Sequence, residues 1–346
     1  MEDLPQFALH WATELGSTSF NLNKLQGGIN NQVYLCTTER QSWVIKGYPQ
    51  SKGHQRDRMK AEVQFLNFAN EVAPELTPKL IYSHQGYRFV VLEHIEGKAF
   101  SEGIPPQADA IATAVQFIQL LNRDTNQARQ WVEMDASEGF LCLSEHIVNV
   151  HKRLAGMTTE HIPRKSLKMA LSLFKNIRTE LEIVQEKTNK LIDEGVILDR
   201  IDPDKRCISP SDFGFHNAIM TAKGVRFIDF EFAGWDDPAK TTLDFILQPH
   251  VPVWGQGSPL SIVWDQELQA SIDARCQVLG PILRLKWACI ILSALNPSRL
   301  SQLLEIRSEE KSSILIQKRL NTAKAYLAST SKSRFSPCAS EGNFKI

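Results

Sequence analysis

Residues 207–234, CISPSDFGFHNAIMTAKGVRFIDFEFAG, contain the pattern that decides the fold. Two short apolar runs, Asn217–Met220 and Val225–Phe230, flank a turn that ends in glycine, which is typical of a β-hairpin. Asp212 precedes the first run, and Asp229 lies at the end of the second. Because a hairpin brings its two ends side by side, we expect the two aspartates and the asparagine that begins the first run to lie close together.

These three polar residues have the chemistry that phosphoryl transfer requires. In kinases one Asp accepts the proton of the attacking hydroxyl, while an Asn five residues later and a second Asp hold the magnesium ions that bridge the phosphates. Asp212 and Asn217 have this spacing, and Asp229 follows at a strand end. We therefore predict that Asp212 is the catalytic residue and that Asn217 and Asp229 are metal ligands.

An alternative assignment uses the string DFG at residues 212–214, which is the metal-binding string of protein kinases. That assignment needs an aspartate followed five residues later by an asparagine upstream of the string. None of the three upstream candidates, Asp199, Asp202 and Asp204, is followed by an asparagine at that distance. The pattern therefore favours Asp212 as the catalytic residue.

The segments SDFGFHNAIM and FIDFEFAGWDDPA resemble the paired motif of the aminoglycoside phosphotransferase and choline kinase-like family. That motif is roughly H-G-D-x-x-x-x-N followed by I-D-[FW]-E-x-[AS]-G-x-G-D-P. The chain departs from it in two places. Pro210 and Ser211 stand where the family usually has His-Gly, and His216 replaces the glycine before the asparagine. A plain hairpin with incidental acids is the alternative, since short motifs also occur by chance.

The resemblance implies an α+β, two-lobed protein kinase-like fold. Its small N-lobe would have an antiparallel sheet and one key helix, and its larger, mostly helical C-lobe would carry the catalytic β-hairpin. We place the nucleotide-binding lobe at residues 1–97 and the catalytic and substrate lobe at residues 98–328. Residues 329–346 are polar and aperiodic, so we expect a disordered tail.

The resemblance also implies an activity, which is transfer of the γ-phosphate of ATP, or of GTP, to a hydroxyl group. The acceptor would be a sugar, an aminoglycoside or an amino alcohol, and the reaction would need Mg²⁺. Two rival functions remain open. One is a nucleotide-binding regulatory protein without catalysis, motivated by Pro210 and Ser211. The other is a protein kinase, although the chain has no H-R-D string and no recognisable A-P-E segment.

A glycine turn lies between the predicted strands Phe20–Leu25 and Gln32–Thr37. Glycines let backbone N–H groups approach phosphate oxygens, because no Cβ is in the way. Such a turn is also typical of an ordinary hairpin. We predict that Gly27, Gly28 and Asn30 bind the nucleotide.

Lys46 ends an apolar strand, Ser42–Lys46, that resembles the strand carrying the phosphate-pairing lysine of kinases. Residues 53–71 have helical spacing, and Glu62 lies one turn before Leu66. A helix glutamate pairs with the strand lysine in kinases. We therefore expect Lys46 to pair with Glu62, although most helix glutamates are solvated.

The segment FVVLEHIEG, residues 89–97, resembles the part of the family that joins the two lobes. Adenine would hydrogen-bond there to backbone groups around Glu93, His94 and Ile95. Recognition through the main chain makes little demand on side chains, so only position marks this site. Gly97 is the expected lobe boundary.

The C-terminal part of the chain is expected to be mostly helical apart from the hairpin. The predicted helices are Ala108–Asn122, 144–154, Lys165–Glu194, Asp265–Leu279, Ile282–Leu295 and Leu300–Leu327.

The apolar stripe along Lys165–Glu194 indicates core packing. A dimer face and a wall of the substrate cleft are the alternatives, so the chain is expected to be a monomer or a homodimer. Asp237 is expected to be a helix N-cap or a loop brace. Four tryptophans, Trp235, Trp254, Trp264 and Trp287, could line an acceptor site, but such residues more often belong to the core.

Composition limits the partners. The chain of 346 residues has 39 basic and 39 acidic side chains and no basic block, which argues against nucleic acid or an anionic membrane as the main partner. We expect no membrane span, because no apolar run approaches about 20 residues. The N-terminus lacks the features of a signal peptide. The six cysteines show no C-x-x-C pair, which is typical of reduced thiols in a cytoplasmic protein.

Overall fold

The structure is a computed structural model that describes residues 10–11, 20–25, 31–49, 56–160, 162–253, 262, 264, 266–296 and 309–330. The chain divides into two compact units. The first unit comprises Met1–Gly139 and Cys207–Asp236, and the second comprises Phe140–Arg206 and Asp237–Ile346. The lobe boundary at residue 97 and the tail from residue 329 stay predictions.

A five-stranded antiparallel sheet lies in the first unit, with the strand order β1-β2-β3-β5-β4. Its strands are β1 (Asn21–Lys24), β2 (Gln32–Thr37), β3 (Ser42–Gly47), β4 (Leu80–His84) and β5 (Phe89–Glu93). The first three lie within one or two residues of the strands that the sequence predicts. Cys36, Ile45 and Phe89 are fully buried and pack with Trp11 in a small core against this sheet. His10 and Trp11 are helical.

Helix α1 (Arg58–Val72) follows the third strand, and the side chain of Asp57 caps its first turn. The Asp57 side chain accepts a hydrogen bond from the Lys60 backbone N–H at 3.1 Å, which satisfies one of the unpaired donors at the helix start. Arg88 donates to the same carboxylate at 2.8 Å. Phe65 and Leu66 on the buried face have no exposed surface, and Glu62 shares that face. The helix therefore presents Glu62 to the protein interior.

The predicted hairpin is present as β8 (Ala218–Thr221) and β9 (Gly224–Phe227). Strand β6 (Lys98–Ala99) pairs with β8, so the hairpin belongs to a three-stranded sheet. Strands β7 (Cys207–Ser209) and β10 (Gly234–Asp236), which flank the hairpin in the sequence, pair with each other in a separate two-stranded sheet. The sequence did not predict β6, β7 and β10, because these strands are too short to show a period-2 pattern.

Gly97 is required where the chain enters β6. A Cβ at this position would lie 2.4 Å from the carbonyl oxygen of Met220 and 2.5 Å from a methyl group of Ile219. No side chain fits this close approach. The segment after β5 therefore lies directly against strand β8 of the hairpin.

An aromatic core packs behind the hairpin in the first unit, against α2 (Ala108–Leu121), which is followed by the single turn α3 (Thr125–Ala128). The ring of Phe117 stacks on that of Phe227 at 5.3 Å between centroids, and Phe213 contacts Phe227 at 4.8 Å. These rings are buried. Burial of several large rings contributes more to stability than the few hydrogen bonds of a hairpin whose strands have four residues each. The aromatic core therefore keeps the hairpin rigid.

The second unit is helical. Its helices are α4 (Leu143–Ala155), α5 (Arg164–Asp193), α6 (Pro238–Leu247), α7 (Gln266–Ile291) and α8 (Glu309–Thr330). Asp237 caps α6, as the sequence predicted, because its side chain accepts from the Ala239 N–H at 2.8 Å. Helix α8 continues to the second residue of the expected tail, and residues 331–346 lie outside the described part of the chain.

Helix α7 corrects the prediction of two helices that break at Gly280 and Pro281. The helix is continuous and contains Pro281. Leu279, Ile282 and Leu283 are fully buried around the proline. Proline removes one backbone hydrogen bond, but tertiary burial of the flanking leucine and isoleucine side chains outweighs that cost.

The same segment also corrects the expectation that no apolar run is long enough for a membrane span. Among the described residues, Glu267–Leu295 is long and apolar enough to cross a membrane by length and composition alone. However, 78% of its apolar window is buried inside the protein. A helix that is apolar on all sides is typical of the core of a large protein as well as of a membrane span, and burial explains its composition here.

A cluster of buried charges lies in the second unit between α6 and α7. Lys286 Nζ is 2.5 Å from Asp244 Oδ1, Lys240 Nζ is 3.2 Å from Asp244 Oδ2, and the Trp287 Nε1–H donates to the same carboxylate at 3.0 Å. His146 is also buried, and no atom of the part of the chain that the structure describes hydrogen-bonds to either of its ring nitrogens. Burial, together with the charges of Lys240 and Lys286, holds the pKa of His146 well below its usual range.

This lowered pKa predicts that the protein loses stability in mild acid. Between the lowered pKa of the folded state and about pH 6.5, the unfolded chain binds a proton at His146 that the folded chain does not bind. The free energy of unfolding should therefore fall as the pH falls below about 6.5, by at most about 1.4 kcal/mol per pH unit from this group. Urea unfolding at about pH 7 and about pH 5.5 measures the loss.

The His146→Leu variant should show a smaller loss between the two pH values than the wild type. The matched control is His151→Leu, which removes a half-buried histidine from the same helix. An equal acid loss in the wild type and in His146→Leu would contradict the assignment.

Candidate active site

The hairpin brings Asn217 and the segment of Asp229 together. The Ile228 N–H donates to the Asn217 carbonyl oxygen at 2.9 Å, one residue beyond the last strand pair. Asp229 then adopts φ 68°, in the left-handed region that Asp and Asn tolerate better than most residues. This conformation ends the strand and turns the chain at the residue that the sequence predicts to hold a metal.

Lys46 lies between two carboxylates. Its Nζ atom is 2.6 Å from Glu62 Oε2 and 2.5 Å from Asp229 Oδ1. The expected contact between Lys46 and Glu62 is therefore present, and the lysine also contacts Asp229 of the hairpin. Burial alone would lower the pKa of Lys46, but the charges of Asp229 and Glu62 reverse this and hold the pKa above its ordinary value. The lysine is accordingly protonated at neutral pH.

Glu62 is held by more than the lysine. The Tyr48 hydroxyl donates to Oε2, and the Phe230 N–H donates to Oε1 at 3.4 Å. Glu62 has about 1% of its surface exposed. Burial raises the pKa of its carboxyl group, the charge of Lys46 opposes that rise, and the charge of Asp229 adds to it. Tyr48, two residues after Lys46 and directly after the end of β3, was not predicted from the sequence, although the period of a strand could have indicated it.

Asp212 is held by the two residues that end its own loop. The Asn217 side-chain NH₂ donates to the Asp212 backbone carbonyl oxygen at 2.9 Å, and His216 Nε2 lies 3.2 Å from Asp212 Oδ1. About 40% of the Asp212 side chain remains exposed. Because the Asn217 nitrogen is used within the loop, its amide oxygen is the atom suited to bind a cation.

The predicted phosphate-binding residues Gly27, Gly28 and Asn30 lie outside the described residues. The next residue, Asn31, donates from its side-chain NH₂ to Glu231 Oε2. Arg58, at the start of α1, lies 3.7 Å from the other oxygen of Glu231. Glu231 therefore connects the end of the glycine turn, the start of α1 and the hairpin. Glu231 is the glutamate of the family motif, but its position in the sequence, two residues after Asp229, does not predict these contacts.

The predicted adenine-binding segment follows β5. The Arg226 guanidinium donates to both carboxylate oxygens of Glu93 at 2.8 Å, and the Lys79 backbone N–H donates to Oε2 at 3.1 Å. The hydrogen bonds from Arg226 hold the pKa of Glu93 below its usual range. His94 and Ile95 directly follow this anchored residue, and Ile95 is buried. The sequence pattern predicted no role for Arg226 beyond that of an ordinary strand residue.

Carboxylate and amide oxygens are thus the cation-binding groups that this site offers, which is the chemistry that Mg²⁺ prefers. Among the described residues, no group of three or more His, Cys, Asp or Glu side chains could hold a metal ion by itself. The Asn217 and Asp229 pair fits a magnesium ion that is also bound by phosphate oxygens, as in kinases.

The shared lysine predicts a specific pattern of stability losses. Lys46→Met leaves the buried Glu62 carboxylate without its cation, so the free energy of unfolding should fall by about 3–5 kcal/mol. Glu62→Gln should cost less, because Asp229 still pairs with the lysine. The double variant should be more stable than the sum of the two single losses predicts, by about 1–3 kcal/mol. Urea unfolding measures all three variants.

The matched control is the exposed pair of Lys60 and Glu133, whose Nζ–Oε2 distance is also short at 2.7 Å. Lys60→Met should change stability little, since solvent screens exposed ion pairs. If Lys46→Met and Lys60→Met lost the same stability, the interior pairing of Lys46 would be refuted.

Comparison with known proteins supports the same fold and chemistry. The model of the phosphotransferase enzyme family matches residues 21–240, which is well over half of the chain. No curated protein sequence matches it significantly. The structure is similar to that of the choline kinase from Cryptosporidium parvum Iowa II, at 10% identity over 96% of this chain and 98% of that chain, with a TM-score of 0.59.

Two further solved structures are similar. The spectinomycin phosphotransferase APH(9)-Ia, in complex with ADP and spectinomycin, is 12% identical over 94% of this chain and 99% of that chain, with a TM-score of 0.57. The amicoumacin kinase hAmiN, in complex with AMP-PNP, Ca²⁺ and Ami, is 14% identical over 97% of this chain and 96% of that chain, with a TM-score of 0.50. At these identities the likeness shows the fold alone.

The predicted α+β, protein kinase-like fold is confirmed by these neighbours, by the antiparallel sheet of the first unit and by the helices of the second. The resemblance to aminoglycoside phosphotransferases and choline kinases is confirmed by the family match and the same neighbours. The chain belongs to the phosphotransferase enzyme family, and it is a phosphotransferase whose acceptor is an alcohol group.

Proposed function

We propose that this phosphotransferase is a magnesium-dependent small-molecule kinase that uses ATP or GTP. Its acceptor would be a hydroxyl group of a sugar, an aminoglycoside or an amino alcohol. The observation that carries the proposal is the contact of the Lys46 Nζ atom with both Glu62 and Asp229. This contact joins a cation from the five-stranded sheet to the hairpin carboxylate, which is the combination that phosphate binding and metal binding need.

The residues present fit a nucleotide and Mg²⁺. Asn217 and Asp229 would hold the metal through oxygen atoms, and Lys46 would neutralise phosphate charge. Gly27, Gly28 and Asn30 would approach the phosphates, and the backbone around Glu93, His94 and Ile95 would bind the base. Bound magnesium supplies neutralisation of the charge that develops on the phosphate oxygens. The solved structures with ADP and with AMP-PNP and Ca²⁺ show that two neighbours with this fold bind adenine nucleotides.

Asp212 would act on the acceptor. Its carboxylate accepts the proton of the attacking hydroxyl late in the reaction, when the bond to the phosphoryl group is forming. Because a carboxylate is a weak base, orientation of the hydroxyl is its main contribution. Catalysis then depends on positioning and on charge rather than on strong proton abstraction.

The tryptophans offer little support for an aromatic acceptor site. Trp235 and Trp287 are buried, and their Nε1–H groups donate to Val132 and Asp244. The Trp264 Nε1–H donates to Thr242 at 3.1 Å, and Trp254 lies outside the described residues. Buried tryptophans whose N–H groups are already paired are core residues. We therefore propose no acceptor more specific than a hydroxyl-bearing small molecule.

A nucleotide-binding protein without catalysis is the second candidate, because Pro210 and Ser211 replace the usual His-Gly. The presence of Asp212, Asn217 and Asp229, together with the lysine contact, favours an active enzyme. We further propose a cytoplasmic monomer or homodimer with no nucleic acid or membrane partner, as the balanced charge and the scattered cysteines indicate.

The test is a screen of hydroxyl-bearing metabolites for phosphorylation by Mg-ATP, repeated with two variants. Asp212→Asn should lower kcat by at least about 100-fold, because it removes the group that receives the proton. Asp229→Asn should abolish magnesium-dependent transfer. Asparagine is chosen for Asp229 because it tolerates φ 68°, whereas alanine would add backbone strain.

Asp193→Asn, an exposed change at the end of α5, is the matched control and should keep the wild-type rate. Magnesium-dependent ATP binding without transfer to any acceptor would favour the second candidate. Near-wild-type turnover in either site variant would overturn the assignment of Asp212 or Asp229.

A further inference from the structure

Two consecutive side chains hold the same aspartate. Asn217 holds the backbone of Asp212, with its Nδ2 atom 2.9 Å from the Asp212 carbonyl oxygen. His216 holds the side chain, with its Nε2 atom 3.2 Å from Asp212 Oδ1. The backbone and the carboxylate of Asp212 are therefore fixed separately, by neighbouring residues.

The turn that presents His216 is itself rigid. Phe215–Asn217 form a 3₁₀ turn, and the Asn217 backbone N–H donates to the Gly214 carbonyl oxygen at 3.0 Å. Phe215, the residue before the histidine, is fully buried and contacts Phe100 at 4.9 Å between ring centroids. A buried ring on one side and a strand on the other leave the histidine backbone little freedom.

The chemistry of the pair fixes which atom donates. An ionised carboxylate can only accept hydrogen bonds, so His216 Nε2 must carry the hydrogen. The bond therefore fixes the direction of the carboxylate through Oδ1. About 40% of the Asp212 side chain is exposed, whereas only 17% of the His216 side chain is exposed, so the carboxylate is the accessible member of the pair.

We propose that His216 is a positioning residue for phosphoryl transfer, which holds Asp212 Oδ1 and so directs the carboxylate toward the acceptor hydroxyl. This inference rests on the proposed function. It gives a role to the histidine that stands immediately before Asn217 in this chain, at a position where the family that the motif resembles usually has glycine. An imidazole from the far end of the loop would thereby orient the catalytic carboxylate.

The proton does not pass to the histidine. As the acceptor oxygen forms its bond to phosphorus and the bond to the leaving nucleotide oxygen breaks, the hydroxyl proton moves to Asp212. Nε2 already carries a hydrogen, so it cannot receive this proton. His216 thus acts through orientation, which places its effect on kcat rather than on nucleotide binding.

The test compares His216→Leu, which removes the donor, with His216→Gln, whose side-chain NH₂ can reach the same carboxylate. We expect His216→Leu to lower kcat by about 10- to 100-fold, with KM for ATP within about twofold of wild type. His216→Gln should recover most of the rate. The matched control is His151→Leu, which removes another half-buried histidine, hydrogen-bonded to Gln185 at 2.8 Å, and should keep the wild-type rate.

Thermal unfolding and KM for ATP separate orientation from a merely structural role. If His216→Leu lowered Tm and raised KM for ATP in step with the loss of rate, or if His216→Gln were as slow as His216→Leu, the inference would be overturned. If the wild type phosphorylated an acceptor and the His216→Leu variant had the same rate, the inference alone would be overturned. A wild type that phosphorylates no acceptor would overturn the proposed function and this inference with it.

Discussion

One buried cation shared by two carboxylates is the interaction on which the site depends. Lys46 reaches Glu62 of helix α1 and Asp229 of the hairpin with a single ammonium group. A buried charge is tolerated only when partners compensate for its lost hydration, so the buried Lys46 and Glu62 require each other. The partly exposed Asp229 is a second partner for the lysine. The five-stranded sheet, the helix and the hairpin are therefore linked electrostatically at the point where phosphate chemistry would occur.

Apolar packing supports this charged contact. The Phe230 ring, next to Asp229, lies 4.6 Å from the Phe65 ring of α1, and the Phe230 N–H donates to Glu62. Phe230 thus contacts the helix both through its ring and through its backbone. Rigid packing of this kind keeps charged groups within a few tenths of an ångström of a productive geometry, which interactions at an exposed surface would not achieve.

The parts of the fold that could be predicted from the sequence are those with a strong local pattern. Strand Gln32–Thr37 was predicted at the bounds that the structure has, and helix Ala108–Leu121 within one residue. Strands β6, β7 and β10 were missed, because two or three residues carry no periodic signal. Helix α7 was divided at Pro281, because the burial that holds it together comes from distant parts of the chain.

The candidate site shows the same limit. The expected partners Lys46 and Glu62 were found because a known pattern marks each of them, and the structure adds Tyr48, Arg226 and Glu231 around them. The contacts of Arg226 and Glu231 join segments far apart in the sequence, at 133 residues for Arg226 and Glu93 and 200 residues for Asn31 and Glu231. Spacing along one chain cannot reveal such pairs, whereas the contact of His216 with Asp212 is local and still required coordinates to show its direction.

Arg226 keeps the spacing between two segments of the candidate nucleotide site constant as the pH changes. Its guanidinium binds Glu93 at the end of β5 and the Thr77 carbonyl oxygen, from a strand that ends two residues before Asp229. A guanidinium keeps its proton under all physiological conditions, and its planar shape fixes direction as well as distance. The spacing between residues 93–95, which we propose to bind the base, and Asp229, which we propose to hold the metal, is consequently independent of cellular acidity. Changes in pH would then act on the chemistry, while the length of nucleotide that fits would stay the same.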